Sequence, residues 1–131
     1  MATLILNTDY FKITLNKDGK IIGHIIMSWQ DMDNDLFKIP NILYSNDIMI
    51  HIRIFKNINK DDLIYFNHLF IEKEYRNKKL SVPLITHAIE ISKLLNKNYI
   101  FLIRTEAWLL HYYEKLGFIN LSYNKMMYKH I

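Results

Sequence analysis

The hydrophobic positions change period several times along the chain, and each change predicts an element. "YFKITL" and "IIGHIIMSW" are β-prone runs on either side of "NKDGK". An Asp-Gly pair between two such runs is a strong hairpin signal, so an antiparallel hairpin is expected with Asp18-Gly19 at its turn. "QDMDNDLFKIPNILYSND" keeps neither period and contains Pro40, which predicts a loop with at most a short helix. In "IMIHIRIF", Ile48, Ile50, Ile52 and Ile54 alternate with Met49, His51, Arg53 and Phe55, the pattern of a half-buried strand. After a turn at "KNINKDD", the run "LIYFNHLFI" is apolar on both faces apart from Asn67 and His68, as a strand central in a sheet should be.

From Ser81 the period lengthens. Leu84, Ile85, Ala88, Ile91, Ser92 and Leu95 fall on one stripe, with Thr86, His87, Glu90, Lys93 and Lys97 on the other face, which predicts an amphipathic helix. Ser81 is the expected N-cap, Pro83 sits in the first turn, and Asn96-Lys97-Asn98 ends the helix. "YIFLIR" is short and apolar throughout, as a strand buried on both faces is. A second helix is expected from about Glu106 to Leu116, stopped by Gly117 at the C′ position with Phe118 placed for the accompanying apolar contact. "INLSYNKMMYKHI" then supplies one or two closing strands. The order gives an α+β fold class, a mixed sheet with antiparallel strands first and then strand, helix, strand, helix, strand, joined by a right-handed crossover. Ligands of such sheets sit beyond the carboxyl ends of the parallel strands, and the basic loop after "LFIEKEY" lies at such an end.

Composition narrows the chemistry. The chain has 131 residues, half of them hydrophobic, enough for one domain spanning 1–131 and too few for a second. It contains no cysteine, which excludes disulfide frameworks and thiolate metal sites. The start, "MATLILNTDYFK", has no basic leader before an apolar run, and no stretch reaches the ~20 apolar residues of a membrane span; a soluble, intracellular, cytoplasmic protein is expected. A net charge of +4 favours anionic ligands without demanding nucleic acid. The six histidines show no pairing at helical metal spacing, so no metal is expected. "DMDND" imitates half of a calcium loop, but Leu36 and Ile42 occupy the places of the required glycine and acid. Asp31, Asp33 and Asp35 are then a solvated loop or an attraction for a cationic amine. Arg76, Lys78 and Lys79 stand just before the first predicted helix. There the macrodipole is already positive, and a cation is unfavourable by roughly 0.3–1 kcal/mol. Either an external anion belongs at this spot, or Glu72 and Glu74 neutralise an ordinary charge run.

"HLFIEKEYRNKKLSVPLITHAIEISKLLN" followed by "YIFLIRTEAWLLHYYEKLGF" resembles the acyl-CoA-binding half of the GNAT superfamily of N-acetyltransferases, over residues 63–118. "YYEKLGF" is close to the family's closing motif, and Leu69, Ile71, Tyr75 and Arg76 match the run into its coenzyme A loop. The resemblance implies a division into N-terminal strands and a variable loop (1–62), the cofactor half (63–118) and closing strands (119–131). It also implies an acetyl-CoA cosubstrate and an amine acceptor, either a small molecule or a protein. Leu69, Phe70 and Ile71 would flank the thioester, a backbone N–H near Leu69 and Phe70 would meet the oxyanion, and Arg76, Asn77, Lys78, Lys79, Leu80 and Ser81 would hold the pyrophosphate. Tyr113 matches the family's general acid. The sequence departs from the family in three places. Lys79 and Ser81 replace the loop's glycines, Tyr65 stands where some members have a basic glutamate, and Glu106 stands where an asparagine is common. His68 and Glu106 remain as candidate bases, with His51 more remote. The two helices that the family places between its first strands cannot fit in "MATLILNTD", which implies an open acceptor side, a homodimer that completes it, or a large partner. A GNAT-fold binding protein without catalysis, with or without coenzyme A, is the alternative reading, and contact of the basic loop with nucleic acid is a third.

Overall fold

The computed structural model describes residues 2–29, 39 and 45–131; the predicted loop, with its aspartates and Pro40, lies largely outside them. The chain opens with an edge strand that periodicity did not announce, β1 (Ala2–Leu6). A tight turn, closed by the Asn7 N–H donating to the Tyr10 carbonyl at 2.9 Å, leads directly into β2 (Tyr10–Lys17). The predicted hairpin follows. Asp18 and Gly19 both take positive φ, 52° and 76°, as a two-residue turn matching the strand twist requires, and the chain returns as β3 (Lys20–Ser28).

The segment expected as a strand at 48–55 is instead a helix, α1 (Asn46–Lys56). Its sequence satisfies both periods. Ile48, Ile52 and Phe55 recur at helical spacing and pack toward Leu63, Phe101 and Tyr128, while Ile50 and Ile54 are left exposed. Asp47 in the first turn and Arg53 and Lys56 in the last complement the helix dipole, a cue that alternation concealed.

The remainder follows expectation in order. A 3₁₀ turn (Lys60–Asp62) leads to β4 (Leu63–Ile71), a second one (Lys73–Lys78) follows it, then α2 (Ser81–Leu94) and β5 (Tyr99–Ile103). The chain closes with α3 (Leu109–Lys115), β6 (Ile119–Asn120) and β7 (Met126–His130). The sheet order is β1-β2-β3-β4-β5-β7-β6. β4 is therefore central, as predicted, and only its pairing with β5 is parallel. Leu84, Ile85 and Ala88 of α2 and Tyr113 of α3 pack with Phe11, Ile25 and Ile64 on one face of the sheet. α1 covers Leu63, Phe101 and Tyr128 on the other. Alternation along β4 feeds both layers, since Leu63 and Tyr65 face α1 and Ile64 and Phe66 face α2.

Candidate functional site

The parallel pair at the centre of the sheet is short. β4 and β5 are in register only over Leu63–Tyr65 and Tyr99–Phe101, although β4 runs on to Ile71 and β5 to Ile103. Beyond Tyr65 the strands separate, and the β4 backbone groups that face β5 have no strand to pair with. A bulge accompanies the split: Met27 lies opposite Phe66 and Ile26 opposite His68, so Asn67 is the extra residue. One inserted residue reverses which side the following side chains take. Phe66 joins the α2 face, whereas His68 turns to the other. A cavity of about 350 Å³ occupies the split, lined by Phe66 to Leu69 on one wall and by Leu102 to Glu106, Trp108, Leu109 and Tyr113 on the other.

Tyr113 is held on this wall by the end of its helix. The Gly117 N–H donates to the Glu114 carbonyl and the Phe118 N–H to the Tyr113 carbonyl, both at 3.0 Å. Gly117 takes φ 94°, so the predicted glycine stop is a Schellman closure, and Phe118 supplies its apolar contact. The Phe118 ring lies 5.6 Å from that of Tyr113, and Phe66 approaches edge-on at 5.8 Å. Tyr113 is only 7% exposed. Burial, and secondarily Tyr112, pushes its pKa up to about 12, so the phenol keeps its proton at neutral pH and has it available to donate.

A second cleft, about 500 Å³, lies alongside and is lined by Leu69, Phe70, Ile71, Arg76, Ser81, Trp108, Leu109 and Tyr112. Five of the nine residues expected around the cofactor thus share one surface. Lys79 adopts φ 56°, ψ 28°, the left-handed backbone that glycine takes most readily; the loop keeps that conformation without the glycine. Leu80 precedes α2, and no side chain caps the helix; in its first turn the Val82 N–H reaches the Lys79 carbonyl at 3.4 Å and Pro83 has no N–H, so an anion there would be met chiefly by the amides that precede Val82. Ser81 was expected as that cap. It is instead the first helical residue, and its hydroxyl meets the Tyr112 hydroxyl at 2.6 Å, tying α2 to α3. Arg76 folds back: its Nε donates to the Ile71 carbonyl at 2.9 Å and its guanidinium lies 5.8 Å from the centre of the Phe70 ring. The side chains of Asn77 and Lys78 lie outside the described set.

The candidate bases separate. His68 and Glu106 both line the smaller cavity. His51 does not; it belongs to α1, where its Nδ1 meets the Tyr128 hydroxyl at 2.9 Å. The second helix starts later than expected, at Leu109, because residues 106–110 close with tighter bonds, Leu109 N–H to the Glu106 carbonyl and Leu110 N–H to the Ala107 carbonyl, both 3.2 Å. Glu106 therefore sits on the cavity rim and not in the helix. Among the lining residues that sequence reasoning missed, Trp108 and Arg104 stand out. Trp108, 70% exposed, borders both cavities, and Arg104 lines the smaller one with Nε and Nη1 buried and unbonded. Only an exposed tryptophan beside a strand end distinguishes this stretch, and exposure is not written in sequence. Among the described residues, no cluster of three or more histidine or acidic side chains suits a metal, and no helix is long and apolar enough to cross a membrane.

A profile of the acetyltransferase (GNAT) domain matches residues 28–130. Solved structures share the fold at low identity. PaiA N-acetyltransferase of Thermoplasma acidophilum, in complex with coenzyme A, is 18% identical with a TM-score of 0.62, over 94% of this chain and 62% of that one. A Bacillus anthracis protein described as a streptothricin acetyltransferase, in complex with acetyl-CoA, is 18% identical with a TM-score of 0.63, over 97% and 65%. The ribosomal-protein-S18-alanine N-acetyltransferase of Escherichia coli is 15% identical with a TM-score of 0.56, over 88% and 56%. The chain thus spans less than two thirds of each of these proteins. Among curated proteins, none matches the sequence significantly.

Proposed function

Since the chain belongs to the GNAT acetyltransferase family, we propose that it transfers an acetyl group from acetyl-CoA to an amine carried by a small molecule or a protein. The observation that carries this reading is the split between β4 and β5, with a cavity at its base and a cleft leading from it to the uncapped start of α2. The pyrophosphate would lie at the amides of Lys79 to Ser81, at the positive end of the α2 dipole and within a basic stretch of sequence. The pantetheine arm would follow the apolar cleft past Phe70, Trp108 and Tyr112 to place the thioester beside Leu69. As the amine attacks, an unpaired β4 amide near Leu69 and Phe70 meets the charge developing on the carbonyl oxygen. Tyr113 donates a hydrogen bond to the leaving sulfur, a role that its raised pKa suits better than full proton transfer. His68 accepts the amine's proton, with Glu106 on the opposite wall as the only carboxylate among the described residues that line the cavity.

Calorimetry with acetyl-CoA tests the reading. Wild type is expected to bind in the micromolar range, and a Lys78→Ala, Lys79→Ala double variant to bind at least about tenfold more weakly, the loss of charge-assisted contacts of ~1.4 kcal/mol or more. No heat with wild type would overturn it. The folded-back Arg76 favours a second reading, a GNAT-fold binding protein without turnover. That reading predicts acetyl-CoA binding with no release of coenzyme A in the presence of any amine.

A further inference from the structure

The bulge at Asn67 turns His68 toward a second imidazole. In the β3–β4 register His24 lies opposite Phe70 and Ile26 opposite His68, so the two histidines are diagonal neighbours on the face away from α2. Nε2 of His24 is 2.8 Å from Nδ1 of His68, and the ring centres are 4.9 Å apart at 37°. Phe70 backs the His24 ring at 5.6 Å. The two histidines are 44 positions apart in sequence, and β-pairing alone brings them together.

The contact constrains the chemistry of His68. An imidazole offers one basic nitrogen at a time, chosen by where its hydrogen sits. For Nε2 of His68 to take a proton, its Nδ1 must carry hydrogen and donate it to a lone pair. Nε2 of His24 supplies one only while His24 is neutral. Burial first, then Lys12 on β2 and His68 itself, lower the pKa of His24, which holds that ring neutral at physiological pH. The charged groups on the far wall of the cavity are Arg104 and Glu106.

Resting on the acetyl-transfer reading, we propose that His24 is a positioning residue for proton removal: it accepts the Nδ1–H of His68, leaves Nε2 of His68 as the basic nitrogen, and shares the charge once Nε2 has taken a proton from the acceptor amine. The nitrogen's electron pair forms the bond to the acetyl carbon while the carbon–sulfur bond breaks. The amine's proton passes to Nε2 and then to bulk water, which both rings can reach. The sulfur leaves under the hydrogen bond from Tyr113 and takes its proton from water.

Two variants separate positioning from packing. His24→Gln keeps a carbonyl oxygen near the place of Nε2, and His24→Phe keeps a ring without an acceptor. Two-bond ¹H–¹⁵N spectra of the imidazoles, recorded without any ligand, are expected to show His68 as the Nδ1–H tautomer in wild type and His24→Gln, and as the Nε2–H tautomer in His24→Phe. Acetyl-CoA hydrolysis can be followed with a thiol reagent free of background, because the chain has no cysteine. Its rate is expected to fall about tenfold in His24→Phe, part of the ~100-fold that a general base supplies, and to recover to within about threefold in His24→Gln. The same tautomer in all three proteins, or equal hydrolysis rates, overturns the role of His24. Failure of wild type to bind acetyl-CoA overturns the transfer reading instead, whatever the imidazoles show.

Discussion

At the scale of single residues, Lys79 concentrates the question of whether the loop still works. A lysine at φ 56° is strained by roughly 1 kcal/mol relative to glycine, partly offset by the extra freedom that glycine gives the unfolded chain. If the loop were merely a solvated turn, that strain would have no purpose. If its ammonium supports a pyrophosphate, the strain positions a charge. Lys79→Gly should therefore raise the midpoint of thermal unfolding by a few degrees, for a gain of up to about 1 kcal/mol, while weakening acetyl-CoA. Paired melting curves and calorimetry check both arms, and a variant both more stable and tighter-binding would deny Lys79 any part in the site. The residues that were legible in the sequence are those whose role depends on near neighbours. The helix stop at Gly117 and Phe118 was legible because glycine and the apolar residue after it sit at the stop itself, and the Schellman closure bears it out; Tyr113 was singled out by family resemblance. His24 and Arg104 were not legible, since one depends on strand register and the other on a cavity between two strands. Ser81 was misread as a cap because its partner, Tyr112, lies 31 residues away.

Among elements, the lesson lies in α1. Its sequence alternates strictly, yet it also places Ile48, Ile52 and Phe55 at helical spacing, and the surface of Phe101 and Tyr128 chose between the two periods. The two assignments differ in which isoleucines matter. On a strand, Ile52 and Ile54 would share one face and have similar weight. In the helix, Ile52 is buried at 3% exposure and Ile54 is exposed at 41%. Ile52→Ala should cost ~2–5 kcal/mol and Ile54→Ala less than about 1 kcal/mol, as read from urea unfolding; equal losses would restore the strand. β1 escaped notice for a related reason. Five residues without alternation, four of them apolar, predict nothing until β2 is there to pair with them. The hairpin at Asp18-Gly19, central β4 and the stripe of α2 were legible because turn chemistry or period alone decides them.

For the molecule as a whole, a tight Asn7–Asp9 turn joins β1 directly to β2, and α1 is the one described helix packed on the sheet face away from α2. α1 covers β4, β5 and β7 on that face, and among the described residues no helix lies over β2 and β3, where Lys12, His24 and His68 meet. Acid and alkali act on stability through different groups. On the open face, the lowered pKa of His24 means that the unfolded chain binds a proton more readily than the folded one below pH ~6.5, so stability falls as the solution is acidified. In alkali the effect runs the other way. Tyr113, under α2 and α3, is held near 12 by burial, and burial also raises Tyr65 and Tyr128 in the layer under α1. Above pH ~10 the unfolded chain releases phenolic protons that the folded chain retains, so stability falls as pH rises from 10 toward 12. For Tyr113 alone the two-unit displacement corresponds to about 2–3 kcal/mol at the upper end. Other groups titrate in the same range, but they cancel in the difference between wild type and Tyr113→Phe. The unfolding free energy of wild type relative to Tyr113→Phe should therefore drop by about 2–3 kcal/mol between pH 9 and pH 12. A difference that stays constant would mean that the Tyr113 hydroxyl ionises as freely in the cavity as in water, leaving it too acidic to remain a donor to the departing sulfur in alkaline solution.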